Sequence, residues 1–185
     1  MSHKKNIAIT SLMALGFMLS TGSIFANNFS YNYAEAGFVD LDGGDGFTFG
    51  GSYEINPEMF LQGSFVTADA DNSDADVTGL AMGVGYHQPI ADKTDGVGFL
   101  GLGKADYSGS GSDDSDTGFI LSGGVRHMFT DQLEATAALT HTSIGDSDTN
   151  FTFGARFHIN EKYSVGATLS TDDADTMTVT GRMNF

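Results

Sequence analysis

Apolar and polar residues alternate with a period of two along most of the chain, and this alternation restricts the possible folds more than any other feature. Four stretches show it clearly: 47–55, 119–126, 151–159 and 177–185. Successive side chains of a β-strand point to opposite faces, whereas a helix repeats its apolar positions every three or four residues. Helical spacing is almost absent, so the chain is predicted to be all-β.

Turn-forming residues divide the chain into ten predicted strands. Most run for about ten residues, which is what a tilted strand needs to cross a bilayer, whereas soluble strands average about five or six. The phase of the first strand is ambiguous, because Tyr31 and Tyr33 favour one face and Ala34, Ala36 and Phe38 the other. The predicted strands cover residues 29–39, 46–56, 59–68, 76–87, 95–107, 117–129, 132–142, 149–159, 162–171 and 176–185.

The connections between these strands alternate in character. Those after even-numbered strands are brief, as at 56–58, 88–94, 130–131 and 160–162, whereas those after odd-numbered strands are rich in aspartate. In an up-and-down meander all odd-numbered connections emerge at one end, so the aspartates are predicted to form one acidic rim. The five acidic connections are 40–45, 69–76, 106–116, 146–148 and 172–175.

A transmembrane barrel accounts for this pattern better than a soluble sandwich does. One alternating set carries Phe, Leu, Val, Met, Ala and Gly without a charge in the clearest strands, as a lipid-facing surface requires. The sheet must close, because an open edge in hydrocarbon leaves backbone groups unpaired. The prediction is an antiparallel up-and-down transmembrane β-barrel with ten strands preferred and eight as the alternative, both even numbers as in single-chain bacterial barrels.

Residues 1–26 have the pattern of a secretory signal peptide. Lys4 and Lys5 precede an apolar run over 7–24, and Ala26 is the small residue at the cleavage point. The barrel is therefore predicted over 27–185. The chain has no cysteine, so an exported protein of this sequence depends on backbone pairing and packing for its stability.

The charge of the chain excludes one class of partner. There are 24 acidic and eight basic residues, and the predicted signal peptide carries two of the basic ones and none of the acidic ones. A mature chain this acidic repels phosphate backbones, so nucleic acid is not expected as a partner.

The segment 177–185 alternates apolar and polar residues and ends on phenylalanine. With the signal peptide and the meander, this ending resembles the small outer-membrane β-barrel proteins of Gram-negative bacteria, in the OmpA-like or opacity-type group. The resemblance implies a monomer among outer-membrane lipid and lipopolysaccharide, with both termini in the periplasm and the acidic loops at the cell surface. It also implies that the barrel-assembly machinery reads an assembly signal at Val179, Gly181, Met183 and Phe185.

Several charged residues near the short turns occupy the alternate strand positions that are predicted to face the barrel lumen. Glu35 joins it if the phase of the first strand allows, and Lys104 is expected to face inward nearer the acidic rim. Two interpretations are open: a salt-bridged plug that fills a narrow barrel, which we favour, and a charged constriction that selects ions. The predicted lumenal charge cluster comprises Arg126, Arg156, Arg182, Glu54 and Glu134.

The connection 69–76 contains Asp69, Asp71, Asp74 and Asp76. It is not an EF-hand, which needs glycine at the sixth position and glutamate at the twelfth, because Asp74 and Leu80 occupy those positions. Carboxylates on adjacent loops can still collect Ca²⁺ or Mg²⁺ and bridge to lipopolysaccharide phosphates. Solvated, mutually repelling loops are the preferred interpretation, and no metal site is assigned.

His141-Thr142-Ser143 resembles the His-x-Ser pair of lipid A deacylases, which are also small outer-membrane barrels. That resemblance implies a histidine base, a serine nucleophile and a glutamate that orients the imidazole. His141 shares its phase with Leu139 on the lipid side, but the next strand, 151–159, contains no glutamate. Only Asp146 or Asp148, from the connecting loop, could take its place.

The leading hypothesis is a non-enzymatic surface protein, structural or adhesive, whose lumen is largely filled by side chains. The first alternative is a narrow channel that prefers cations. The second is a lipid A deacylase-like enzyme that uses His141 and Ser143. No cofactor is expected.

Overall fold

The computed structural model describes residues 29–41, 44–70, 76–109, 113–171 and 175–185, without the side chain of residue 70. The predicted signal peptide, Asp71 and Asp74 lie outside the described residues. Within the described ranges, no helix has the length and apolar character to cross a membrane.

Ten strands form one closed barrel. Each strand pairs antiparallel with its neighbours in sequence, and the first strand pairs with the last. The predicted all-β class, the up-and-down order and the preferred count of ten strands are confirmed. The strands are β1 Tyr33–Leu41, β2 Gly44–Asn56, β3 Met59–Ala70, β4 Asp76–Ala91, β5 Thr94–Ser108, β6 Asp114–Met128, β7 Leu133–Thr142, β8 Asp148–His158, β9 Tyr163–Thr171 and β10 Thr176–Asn184.

Two strand boundaries, the start of β1 and the end of β4, differ from the prediction by four residues, more than any other boundary does. β1 begins at Tyr33 rather than at residue 29, and it resolves the ambiguous phase, with Tyr33 inward and Phe38 outward. The predicted connection 88–94 shrinks to a turn at 92–93, because β4 and β5 extend to meet each other. Lys93 adopts a positive φ of 56° there, and the register shifts between Pro89 and Ala91, where proline cannot donate to the ladder.

Three of the four short turns are fixed by the same side-chain hydrogen bonds. The side-chain oxygens of Asn56, Thr130 and Asn160 each accept hydrogen bonds from the amides two and three residues later. A side chain that bonds forward in this way fixes a tight turn. We call this end of the barrel, with connections 57–58, 92–93, 129–132 and 159–162, the short-turn end, and the opposite end the acidic-loop end.

The outward face of the barrel is apolar. Nine outward phenylalanines are each at least 44% exposed, a degree of apolar exposure that water-soluble monomers do not tolerate over so large a surface. Every strand contributes, through Phe38, Phe47, Leu61, Leu80, Leu100, Phe119, Leu139, Phe151, Val165 and Met177.

Candidate functional site: the barrel lumen

Two arginines share one buried carboxylate at the junction of the first and last strands. Glu35 Oε2 accepts hydrogen bonds from Arg182 Nη2 at 2.8 Å, Arg182 Nε at 3.0 Å and Arg156 Nη2 at 3.3 Å. Glu35 lies directly opposite Arg182 in the ladder between β1 and β10. The inward positions predicted for both arginines are correct, and Glu35 joins them because of the phase of β1. We call these three residues the seam cluster.

Neutral groups complete the environment of the seam cluster. Arg156 donates from Nη1 to Ser164 Oγ and from Nη2 to Thr180 Oγ1, both at 3.2 Å. The Arg182 guanidinium lies 3.7 Å from the centre of the Tyr33 ring. A buried ion group needs such additional partners, because removal of charges from water is expensive.

A second ion pair joins Arg126 to Glu134, and both side chains are 2% exposed. The other oxygen of Glu134 lies 3.0 Å from His158 Nε2. The three arginines and Glu134 are thus lumenal as predicted, but they form two clusters rather than one. Glu54 is half-buried and, within the described ranges, pairs with none of the three arginines.

Sequence reasoning missed one buried acid and misplaced one base. Asp95 is fully buried, lies opposite Arg126 in the ladder and places Oδ2 3.6 Å from His87 Nδ1. Lys104 was expected to face inward but faces outward, where it pairs with Asp106. Phe99 occupies the inward face of β5, so every residue an odd number of positions from it, including Lys104, points outward.

The segment before β1 turns into the lumen instead of extending the strand. Tyr31 is fully buried, stacks on Phe60 with ring centres 4.5 Å apart and lies 3.8 Å from the ring of His87. Phe29 is also buried, and its ring lies 4.2 Å from the Arg126 guanidinium. We call Phe29 and Tyr31 the short-turn plug. No pattern in the sequence predicts this plug, because both residues continue the alternation of the first strand.

The connection between β7 and β8 supplies a second plug. Ser143 extends the ladder: its amide donates to Phe119 O, and its Oγ accepts from Phe119 N, both at 3.0 Å. Ile144 then enters the lumen and is fully buried, and Gly145, with a φ of 70°, turns the chain out again. At Gly118 a Cβ atom would come within 2.3 Å of Ser143 O, so only glycine allows this approach.

Ile144 packs into an apolar cluster in the half of the lumen near the acidic loops. We call Ile144 the loop-end plug. The other buried members of the cluster come from strands and are Val39, Val66, Val77, Ala81, Phe99, Ala105 and Ile120.

The contacts of Ser143 and His141 do not build a catalytic arrangement. Ser143 Oγ is engaged by the Phe119 amide, and His141 Nδ1 lies 2.8 Å from Thr149 Oγ1. His141 faces outward as predicted, but no hydrogen bond in the described part of the chain joins it to Ser143, and Thr149 stands where the mechanism requires a carboxylate.

Four aspartates form a row on the outward face at the acidic-loop end. Asp40 lies opposite Asp45, Asp45 opposite Asp69, and Asp69 opposite Asp76, and all four are exposed. Like charges directly opposite each other on neighbouring strands repel. Within the described residues, no group of three or more acidic or histidine side chains is arranged to hold a metal ion.

The residues of the predicted assembly signal line the outward face of β10. Val179, Met183 and Phe185 are 47%, 38% and 66% exposed, and Gly181 has open space where a side chain would project.

Comparison with known proteins agrees with this architecture. KdgM porin has the same fold with a TM-score of 0.52 at 10% identity, over 83% of this chain and 99% of that chain. The attachment invasion locus protein Ail of Yersinia pestis aligns over 83% of this chain and 97% of its own, with 19% identity and a TM-score of 0.42. No curated protein sequence matched the chain.

Structures this distant in sequence do not assign the chain to a protein family, but a family model does. The outer membrane protein beta-barrel domain matches residues 13–158, which is more than half of the chain. A closed ten-stranded barrel with an apolar outer surface is the structure that such a protein requires. The chain belongs to the outer-membrane β-barrel domain family and is an integral protein of the bacterial outer membrane.

Proposed function

We propose that the protein is a non-enzymatic surface protein of the outer membrane, structural or adhesive, whose lumen is closed to solutes by its own side chains. In this proposal the acidic loops face the outside of the cell and the short turns face the periplasm. On this proposal the barrel presents its loops at the cell surface and conducts no solute.

One observation carries the proposal. Tyr31 at the short-turn plug, Ile144 at the loop-end plug and Ile120 beside it are all 0% exposed. A water-filled path would expose the side chains that line it, inside the barrel as well as outside. The complete burial of these residues at two levels along the barrel axis supports a lumen that is blocked at both levels.

The ion pairs support the same conclusion. Arg126, Arg156 and Arg182 are each at most 3% exposed and are engaged by Glu134 or Glu35. A constriction that selects ions presents its charges to the permeating ion, whereas each of these arginines contacts a buried carboxylate of the chain.

Single-channel recording of the refolded barrel in a planar bilayer tests the proposal. The wild-type protein is expected to give no discrete current steps. A variant that removes both plugs, Phe29→Ala with Tyr31→Ala and Ile144→Ala, is expected to give steps. Leu139→Ala, which shortens a 43% exposed outward side chain, serves as the control and stays silent.

Cation-selective steps from the wild-type protein would contradict the proposal and support the narrow channel. Silence of the triple variant, with its fold verified by circular dichroism, would contradict the assignment of the two plugs. Adhesion is tested separately, by loss of binding of expressing cells to a surface when the exposed Asp69 and Asp76 are replaced by Asn.

A further inference from the structure

A groove of about 560 Å³ lies on β1 to β4, in the half of the barrel near the short turns. Its volume is within the range of about 300–1,000 Å³ that small-molecule sites occupy. None of the described residues that line it has a charged side chain. Gly51 shares the phase of Phe49 and Tyr53, so the groove opens to the membrane and not to the lumen. We call it the outer groove, and its floor consists of Ala34, Gly51 and Gly63.

The register places the three small floor residues in one row across three strands. Ala34 lies opposite Gly51, and Gly51 lies opposite Gly63. The row continues to Met183 on β10 and to Met82 on β4, and both methionines are exposed. Methionine side chains are flexible and adapt to the shape of what they contact. The floor is therefore a trough across β1, β2 and β3 with an adaptable side chain at each end.

Large side chains stand on both sides of this trough. Toward the acidic-loop end Phe49 lies opposite Phe65, and toward the short-turn end Tyr53 lies opposite Leu61. All four face outward and are exposed. The two rows are four residues apart along a strand, or about 13 Å between Cα atoms, and their side chains narrow the space between them. A helix with its side chains is about 10–12 Å across and is too wide, whereas a single hydrocarbon chain fits.

The packing of the barrel does not require the two glycines of the floor. A Cβ atom would come no closer than 3.4 Å to its nearest contact at Gly51 and 3.6 Å at Gly63, which are ordinary contact distances. At Gly46 on the same strand, a Cβ atom would come within 2.0 Å of a backbone oxygen. The ladder of β2 and β3 is regular at Gly51 and Gly63, so no bulge accounts for them. Glycine weakens a strand, and where no bulge or bend requires it, it often marks the close approach of a ligand or of another backbone.

The surroundings favour a lipid chain over the backbone of a second barrel. Hydrocarbon covers this face, because the chain is an integral outer-membrane protein with an apolar outer surface. Close packing of two membrane proteins uses small residues that let the backbones approach each other. Phe49, Tyr53 and Phe185 border the floor, are each more than half exposed, and hold a second backbone away from it.

We propose that the outer groove is a binding site for one acyl chain of a phospholipid. Tyr53 and Phe185 stand at its short-turn side, where the aromatic residues of a membrane barrel meet the lipid headgroups. The chain enters there and lies along the small floor residues toward a methionine. The choice of phospholipid over lipopolysaccharide rests on the proposed orientation, since the groove lies in the half of the barrel assigned to the periplasmic leaflet.

Native mass spectrometry of the refolded protein in detergent micelles, with added palmitoyl-oleoyl phosphatidylethanolamine, tests the site. The wild-type protein is expected to retain one phospholipid at collision energies that remove all others. Gly51→Leu combined with Gly63→Leu fills the floor and is expected to abolish this one-lipid species, while circular dichroism shows the same barrel.

Gly98→Leu combined with Gly123→Leu is the matched control. These outward glycines also lie directly opposite each other, and outside the adjacent residues no atom would be closer than 4.0 Å to an added Cβ. Their row meets the large Tyr86 and Leu139 on either side, so it is only two small residues wide. The control adds the same bulk to the outer face and is expected to leave the one-lipid species unchanged.

A second measurement uses the wild-type protein alone. Phospholipid with a spin label on its acyl chain, added in small amounts to the micelles, broadens the NMR signals of nearby methyl groups. The signals of Val84, which lines the outer groove, are expected to broaden at lower lipid concentration than those of Val165, an outward valine on β9. Equal broadening of the two valines would contradict the site.

Other results would also overturn the proposal. They are the loss of all lipid from the wild-type protein, equal retention by the folded Gly51→Leu, Gly63→Leu variant, and equal loss from the control. Stronger retention of lipid A than of phospholipid would overturn the choice of phospholipid. A dimer that the same variant abolishes would assign the groove to a second copy of the chain. Lipid retention does not depend on whether the lumen conducts, so this proposal and the closed lumen can fail separately.

Discussion

Glu35 is the residue on which the buried charges of the lumen depend most. It is the carboxylate shared by Arg156 and Arg182, and it is 8% exposed. Each arginine keeps neutral partners if Glu35 is replaced, but no neutral partner compensates a buried positive charge.

Glu35→Gln keeps the shape of the side chain and removes its charge. We expect the free energy of unfolding to fall by about 3–5 kcal/mol, the range for breaking a buried pair by removing one partner. Urea titration of the refolded barrel in lipid vesicles measures the loss. Glu54→Gln is the matched control, since Glu54 is half-buried and is not paired with these arginines, and an equal loss there would contradict the assignment.

Ser143 anchors a loop in this structure, and the variant Ser143→Ala distinguishes that role from the role of a catalytic nucleophile. Ser143→Ala removes the hydrogen bond from the Phe119 amide, so we expect a loss of about 1 kcal/mol in unfolding free energy. Release of fatty acid from lipid A by the wild-type protein is expected to stay at background and to be unchanged in the variant. Release that disappears with Ser143→Ala would instead establish the enzyme.

At the scale of strands, period-two patterning determines which face of the sheet each side chain joins. It placed Arg126, Arg156 and Arg182 in the lumen correctly, because strong alternation surrounds each of them. It failed at Lys104, where a glycine-rich strand offers little contrast between the two faces. The strand pattern also gave no warning of Ile144, since one apolar residue in a polar loop does not show where it is buried.

The exposed aspartate row is an element-scale feature with an effect on stability. Asp45→Asn combined with Asp69→Asn removes every directly opposed charge pair in the row. We expect the urea midpoint to rise at low ionic strength and the gain to shrink at about 1 M salt, where the screening length is about 3 Å. Asp131→Asn is the control, because Asp131 pairs with Lys93 at the short-turn end and its loss brings no gain.

At the scale of the whole molecule, the outward face must serve both lipid contact and assembly. Phe185 is 66% exposed, and its backbone amide donates to Asn32 O. Its side chain therefore contributes little to packing within the barrel.

Phe185→Ser tests whether that side chain acts as an assembly signal. We expect a lower level of folded protein in the outer membrane of expressing cells, with little change in refolding yield in detergent. Phe151→Ser, at a comparably exposed outward position, is expected to change neither by as much. Equal levels of the two variants in the membrane would contradict an assembly signal at Phe185.

The pairing of β1 with β10 also sets an order in time. Glu35 and Arg182 are 147 residues apart in sequence, yet they meet across one ladder. Until that ladder forms, both edges of the sheet lack partners, and an unclosed sheet is not stable in hydrocarbon. Contacts between such distant residues form slowly, because the loop entropy must be lost before the contact is gained. These charges are therefore neutralised only when the barrel closes, and until then the edges of the sheet must be kept out of hydrocarbon.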